Sequence, residues 1–142
     1  MSFTDSDFQL GVDDRKSISE FIFICNRGAV CWKSSMQSIT ADSTTEVEYI
    51  AASDAAKEAV WIQKFVSELV VVPFIESAVP LFCNNNGAIA LAKEPRSHQK
   101  SKHIERCYHV IRELVGKGDV LVQKVALADN VADPLTKVLT QL

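Results

Sequence analysis

The chain contains, at residues 43–62, the stretch STTEVEYIAASDAAKEAVWI, which predicts a long helix with one apolar face. Ser43 or Thr44 can cap its start, because a hydroxyl oxygen accepts a backbone N–H of the first turn. Apolar residues recur at helical spacing over 45–69, namely Val47, Ile50, Ala51, Ala55, Ala59, Ile62, Phe65, Val66 and Leu69. A helix with such a face needs an apolar surface to cover.

Strand-like runs stand on both sides of this helix. The predicted strands are 2–9, 20–26, 28–33, 79–83 and 119–125. The other predicted helices are 87–93, 101–117 and 130–139. Three strands joined by tight turns, followed by alternating helices and strands, predict an α/β fold. We expect a mixed five-stranded sheet, with the first three strands antiparallel and helices flanking it.

Length and charge limit the possible classes of protein. A chain of 142 residues has the size of one domain, so 1–142 is predicted to form a single fold. The formal net charge is −3, so any surface that binds nucleic acid must be local. No secretory leader and no membrane-spanning stretch is visible, so we expect a cytoplasmic or nuclear protein without a membrane partner.

Three cysteines, Cys25, Cys31 and Cys83, and both tryptophans fall within apolar runs. The cysteines are Cys25, Cys31, Cys83 and Cys107. They form no zinc-ligand pattern, so we interpret them as reduced core residues. Trp32 and Trp61 are likewise predicted to lie in the core rather than to stack on nucleic-acid bases.

Acidic side chains fall at strand ends and helix starts, which this topology can bring to one edge of the sheet. They are Asp5 and Asp7 in the first strand, Glu46 and Glu48 in the long helix, and Asp133 near the C-terminus. Carboxylates from distant segments repel each other unless a cation such as Mg²⁺ neutralises them. The alternative is ordinary: an acid in the first helical turn is favoured by the helix dipole, and acids of the first strand can simply be solvated.

Several segments are distinctive in amino-acid sequence and in their order along the chain. They read TDSDF, DDRKS, GAVCWKSSMQ, STTEVEYIAASDAAKEAVWI, FCNNNGAIALAKEP, SKHIERCYHVIREL and NVADPLTK. Together they resemble the ribonuclease H domain that ends copia-type retrotransposon polyproteins, especially those of plants. The resemblance covers essentially the whole chain. It implies a ribonuclease H-like fold and a Mg²⁺-dependent endonuclease, with Mn²⁺ as the alternative ion, that cuts the RNA of RNA/DNA hybrids.

The same resemblance implies the site residues. It assigns catalytic and metal-binding roles to Asp5, Glu48 and Asp133. The corresponding fourth-strand motif of the family reads Cys-Asp-Asn, whereas this chain has Cys83-Asn84-Asn85, so the catalytic position 84 carries an amide. An amide keeps an oxygen acceptor but lacks the charge, and we therefore expect weakened binding of the cation.

Other departures from the family leave two functions open. Family copies usually have more residues before Asp5, and they tend to carry glycine where Glu20 and Val70 stand. One function is hybrid cleavage by an impaired enzyme. The other is a non-catalytic module recruited by the host, which acts by binding nucleic acid or a protein partner.

A basic segment at 93–117 contains the candidates for binding nucleic acid. They are Arg96, His98, Lys100, Lys102 and Arg106. Cations there would contact phosphates without sequence preference, although a solvated helix face has the same composition. His98 could also transfer protons, whereas His103 and His109 are predicted to have packing or surface roles.

Overall fold

The computed structural model describes residues 1–8, 16–69, 77–94, 104 and 106–136, with the backbone alone at 106, 107 and 136. The strands are β1 Ser2–Asp7, β2 Ile18–Cys25, β3 Gly28–Met36, β4 Val79–Cys83 and β5 Val120–Lys124. The helices are α1 Thr44–Glu68, α2 Asn86–Lys93 and α3 Val110–Lys117. Three 3-10 segments, Arg106–His109, Leu127–Asp129 and Asp133–Thr136, complete the described elements.

All five strands form one mixed sheet in the order β3-β2-β1-β4-β5. The pairings β3 with β2 and β2 with β1 are antiparallel, whereas β4 is parallel to both β1 and β5. The predicted mixed sheet with three leading antiparallel strands is therefore confirmed. Because β1 is central, residues at its end are surrounded by neighbours on both sides.

A two-residue turn fixes the register of the first hairpin. Asn26 and Arg27 both have positive φ, 49° and 66°. This conformation gives a turn whose twist matches that of the flanking strands, and asparagine tolerates it better than most residues. The resulting register pairs Glu20 of β2 with Ser34 of β3 on one side and with Asp5 of β1 on the other.

Helix α1 covers the core side of the sheet. Ser43 caps its start, because the Ser43 hydroxyl accepts the Glu46 N–H at 3.2 Å. Small buried residues such as Ala55 and Ala59 let the helix approach the sheet closely. The core contains, from α1 and the strands, Val47, Tyr49, Ile50, Phe21, Phe23, Leu81, Val120 and Val122.

Several predictions about the core are wrong. Trp32 is 64% exposed and Trp61 is 58% exposed. Trp32 lies on the edge strand β3, and Trp61 lies in the part of α1 where the buried residues end. Cys25 is also exposed, since it ends β2 beside the hairpin turn, whereas Cys31 is half-buried and Cys83 is buried. The side chain of Cys107 lies outside the described residues.

The C-terminal third differs from the predicted helices. Within the predicted helix 101–117, residues 101–103 and 105 lie outside the described residues, and residues 106–117 form the 3-10 turn Arg106–His109 followed by α3. The predicted helix 130–139 is a single 3-10 turn over Asp133–Thr136, and 137–142 lie outside the described residues. Backbone bonds of the turn type, such as Leu135 N–H to the Ala132 carbonyl at 3.0 Å, replace the helical pattern there. Among the described helices, none is long and apolar enough to cross a membrane.

Candidate active site

Asp5 of β1 and Glu48 of α1 form a buried pair of carboxyl groups. The side chains of Glu48 and Asp5 are in hydrogen-bonding contact, which requires a proton on one of the two carboxyl groups. Burial raises the pKa of Asp5 to about 6, and the nearby Asp133 charge adds to the increase. Burial, followed by the Asp5 charge, raises the pKa of Glu48 to about 8. Two carboxylates this close cannot both ionise without a neutralising charge.

Asn84 follows β4 at the position next to Asp5. The parallel register pairs Ser2 with Leu81 and Phe3 with Phe82, and two further steps bring position 84 to the level of Asp5. The buried Asn84 Oδ1 accepts no hydrogen bond from the described residues. A buried oxygen without a donor is costly, and it is available to a cation.

Two residues close to Asn84, Asn85 and Lys124, have structural roles. The Asn85 side chain caps α2, because its Oδ1 accepts the Ala88 N–H at 2.9 Å. The Lys124 ammonium of β5 donates to the Asn84 backbone carbonyl. Asn84 is the member of the asparagine triplet whose side-chain oxygen is buried without a hydrogen-bond partner among the described residues.

Asn130 brings Asp133 to the same sheet edge. Its Nδ2 donates to the Thr4 carbonyl at 3.0 Å, which ties the C-terminal turn to the residue before Asp5. Its Oδ1 accepts the Ala132 N–H at 3.1 Å, and its backbone carbonyl accepts the Asp133 N–H at 3.1 Å. Nothing in the sequence pattern singles out Asn130, because its role depends on a tertiary contact.

Glu20 is a further carboxyl group at this edge. It pairs across the sheet with Asp5, and directly paired residues of antiparallel strands share a face. The sequence distinguishes it only as a departure from glycine. Its environment within the described fold makes it a member of the acidic group Asp5, Glu20, Glu48 and Asp133, which we call the acidic cluster.

The remaining candidates lie elsewhere or outside the description. Glu46 stabilises the start of α1, because its Oε2 accepts a hydrogen bond from the Asp42 N–H at 2.8 Å. His109 has a packing role as predicted, with Nδ1 at 2.9 Å from the Tyr49 hydroxyl. The five basic-segment candidates are not tested: Arg96, His98, Lys100 and Lys102 lie outside the described residues, and Arg106 is described by its backbone only. The same holds for His103 and Val70.

The carboxyl and amide oxygens of this site are suitable ligands for a hard divalent cation, although they are not arranged around a single point. Carboxyl and amide oxygens are the ligands that Mg²⁺ and Mn²⁺ prefer, and at least one buried oxygen lacks a donor. Within the described part of the chain, however, no three Asp, Glu, His or Cys side chains are arranged as a metal-binding group. The acidic residues lie near one another, but their oxygens do not converge.

Comparisons with known proteins identify relatives over nearly the whole chain. The Retrovirus-related Pol polyprotein from transposon TNT 1-94 of Nicotiana tabacum is 39% identical over 136 residues, which cover 96% of this chain and 10% of that protein. The Pol polyprotein from transposon RE2 of Arabidopsis thaliana is 31% identical over 141 residues, 99% of this chain and 10% of that protein. The chain thus spans about a tenth of the length of these curated relatives. No family model matches it.

Solved structures show the same fold. LC11-RNase H1 in complex with an RNA/DNA hybrid superposes with a TM-score of 0.63 at 14% identity, covering 94% of this chain and 91% of that one. The chain therefore has a ribonuclease H-like fold and is similar, over nearly its whole length, to a segment of plant retrotransposon Pol polyproteins. This ribonuclease H-like domain has the acidic cluster at the edge where β1, β4 and the start of α1 meet, with an amide at position 84.

Proposed function

We propose that this ribonuclease H-like domain binds RNA/DNA hybrids and that Asn84 strongly impairs its hydrolysis of the RNA strand. The observation that carries the proposal is the buried amide oxygen of Asn84, which lacks a hydrogen-bond partner among the described residues and follows the strand that pairs with β1, at a position where a carboxylate would contribute a negative charge. A neutral oxygen attracts a dication much less than a carboxylate does, because the charge–charge interaction is lost. Hybrid binding is supported by the fold shared with LC11-RNase H1, whose structure contains such a hybrid.

Asp5, Glu48 and Asp133 are the residues that would hold Mg²⁺. When bound, such ions supply activation of water and neutralisation of the leaving oxygen in phosphodiester hydrolysis. Glu48 must first release the proton that it shares with Asp5, because only deprotonated carboxylates are good ligands. The amide at position 84 adds no charge that would favour this release. We therefore expect weak cation affinity at neutral pH.

Cleavage of an RNA/DNA hybrid in Mg²⁺ by the wild-type chain and by Asn84→Asp tests the proposal. We expect Asn84→Asp to cleave at least about a hundredfold faster, equivalent to about 2.7 kcal/mol in the activation barrier. Asn85→Asp is the matched control: it adds the same charge one residue away, at a helix cap where aspartate and asparagine are equivalent. This control should cleave no faster than the wild-type chain.

The outcome of the cleavage assay also distinguishes an impaired nuclease from the second candidate function, a non-catalytic binding module. Equal cleavage by the wild-type chain and Asn84→Asp would contradict impairment at position 84. Hybrid binding without cleavage by either form would favour the non-catalytic binding module, because restoring the charge would then be insufficient. Recruitment by a host and a protein partner remain proposals, which retention of a partner by the purified domain would support.

A further inference from the structure

Glu20 is a buried carboxyl group in the middle of the sheet. Its side chain is 1% exposed, and it stands in β2 directly opposite Asp5. Phe21, its neighbour in sequence, points into the core beneath α1, so Glu20 points to the other face of the sheet. Acidic side chains are rarely buried to this extent unless they are paired, so this position needs a physical reason.

The hydrogen bonds of Glu20 are incomplete. Its Oε1 accepts the Ser34 hydroxyl at 2.6 Å, whereas its buried Oε2 accepts nothing from the described residues. Burial raises the pKa of Glu20, and the charges of Asp5, Asp7 and Asp133 raise it further. The carboxyl group therefore lies within electrostatic reach of three other acids, with one oxygen unused.

A purely structural role would not require a carboxylate. The bond to Ser34 could be made equally well by a glutamine, whose carbonyl oxygen also accepts one, without repulsion from neighbouring acids. The negative charge lowers stability in the protein alone, since desolvation and like charges both oppose it. A bound cation would reverse both effects, because it supplies the missing partner and neutralises the neighbours.

The surrounding elements bring the other ligands to this face. The 3-10 turn Asp133–Thr136 contacts both β1 and β2, and Asn130 fastens its start to β1. The oxygens of Asp5, Glu20 and Asp133 do not converge in the structure, so the side chains must rotate to reach one ion. The unpaired Oε2 of Glu20 can do so without breaking a hydrogen bond to any described residue.

We propose that Glu20 is a cation ligand of this domain which, with Asp5 and Asp133, returns to the site the negative charge that Asn84 lacks. The inference rests on the proposed function in that the cation is the same divalent ion. It adds a ligand from β2, on the opposite side of β1 from Asn84. The site then has as many carboxylate ligands as one with an aspartate at position 84. The added negative charge lies on the β2 side of β1 instead of the β4 side.

Mn²⁺ binding to the full chain without nucleic acid tests this assignment. Titration calorimetry of wild type and Glu20→Gln should show affinity for Mn²⁺ reduced at least about tenfold in the variant, because ligand charge sets the affinity of oxygen sites. Ser34→Ala is the matched control: it removes the hydrogen bond of Glu20 but keeps the charge. It should bind Mn²⁺ within about threefold of wild type, because the ligand charge is unchanged.

A second measurement uses the wild-type chain alone, in case Glu20→Gln does not fold. Mn²⁺ broadens nuclear resonances of nearby residues, so the amide signals of Asp5, Glu20 and Ser34 should broaden at concentrations that leave exposed Glu113 unaffected. Unchanged Mn²⁺ affinity in Glu20→Gln, or no broadening at Glu20, would overturn the assignment. Either result leaves the proposal on Asn84 intact, because that proposal is tested by hybrid cleavage after Asn84→Asp.

Discussion

At the scale of single residues, the protonated Asp5–Glu48 pair makes stability depend on pH. Both pKa values are raised, to about 6 and about 8, so the folded chain keeps protons that the unfolded chain releases. Below about pH 4 both carboxyls are protonated in either state, and their contribution to stability is fully present. As pH rises through the two folded-state values, that contribution is lost.

We therefore predict that, in buffer with a chelator, the free energy of unfolding falls between about pH 4 and pH 8 by a few kcal/mol. Glu48→Gln removes the group with the larger shift and should flatten the decline. Urea denaturation at several pH values measures both curves. Parallel curves for wild type and Glu48→Gln would show that the pair does not hold the proton.

The sequence could single out Asp5, Glu48 and Asp133 as candidate site residues only because the segments that contain them resemble those of a known family. Spacing alone leaves them open, because acids at helix starts are favoured in any protein. Position 84 could be singled out because a charged residue type is replaced by an amide within an otherwise matching motif. The placement of Glu20 in the acidic cluster follows from a cross-strand register that no local pattern contains.

At the scale of elements, the strands and α1 were predictable because their apolar periods match their geometry. The bounds of β4, Val79–Cys83, agree with the prediction, as does the hairpin around Asn26. The exposures of Trp32 and Trp61 were not predictable. An apolar residue in a strand or helix carries no mark of whether a neighbouring element covers it, and β3 is the edge of the sheet.

The C-terminal turn depends on one side chain for its attachment. Asn130 is buried and satisfies the Thr4 carbonyl and the Ala132 N–H together. We predict that Asn130→Ala lowers the free energy of unfolding by about 1–3 kcal/mol, since buried partners lose their hydrogen bonds. Asn86→Ala, at an exposed asparagine, is the control. Equal urea midpoints for the two variants would argue against this attachment.

At the scale of the whole molecule, the net charge of −3 opposes a polyanion, so hybrid binding must depend on a local basic surface. Two of the described basic residues make contacts within the fold instead. Arg112 donates to the Leu91 carbonyl and lies over the Tyr49 ring, and Lys57 pairs with Asp54. The basic segment 93–117 remains the predicted source of phosphate contacts; its candidates Arg96, His98, Lys100 and Lys102 lie outside the described residues, and Arg106 is described by its backbone only.

Salt dependence measures that surface directly. Each phosphate contact contributes about −0.9 to the slope of log affinity against log salt for duplex DNA, so we predict a shallower slope after joint replacement of Lys100, Lys102 and Arg106 by alanine. A matched control replaces lysines on other elements, Lys33, Lys57 and Lys64, and changes the net charge equally.

The comparison separates a local contact from the field of the whole molecule. If phosphate contacts are local, only replacement in the basic segment should make the slope of log affinity against log salt shallower. The change should exceed about 0.9, which is the contribution of one phosphate contact. If both triple variants weaken hybrid binding to the same extent with unchanged slopes, overall charge alone is responsible, and the basic segment is not the binding surface. The acidic cluster then requires a cation between it and the hybrid phosphate, because carboxylates and phosphates repel each other.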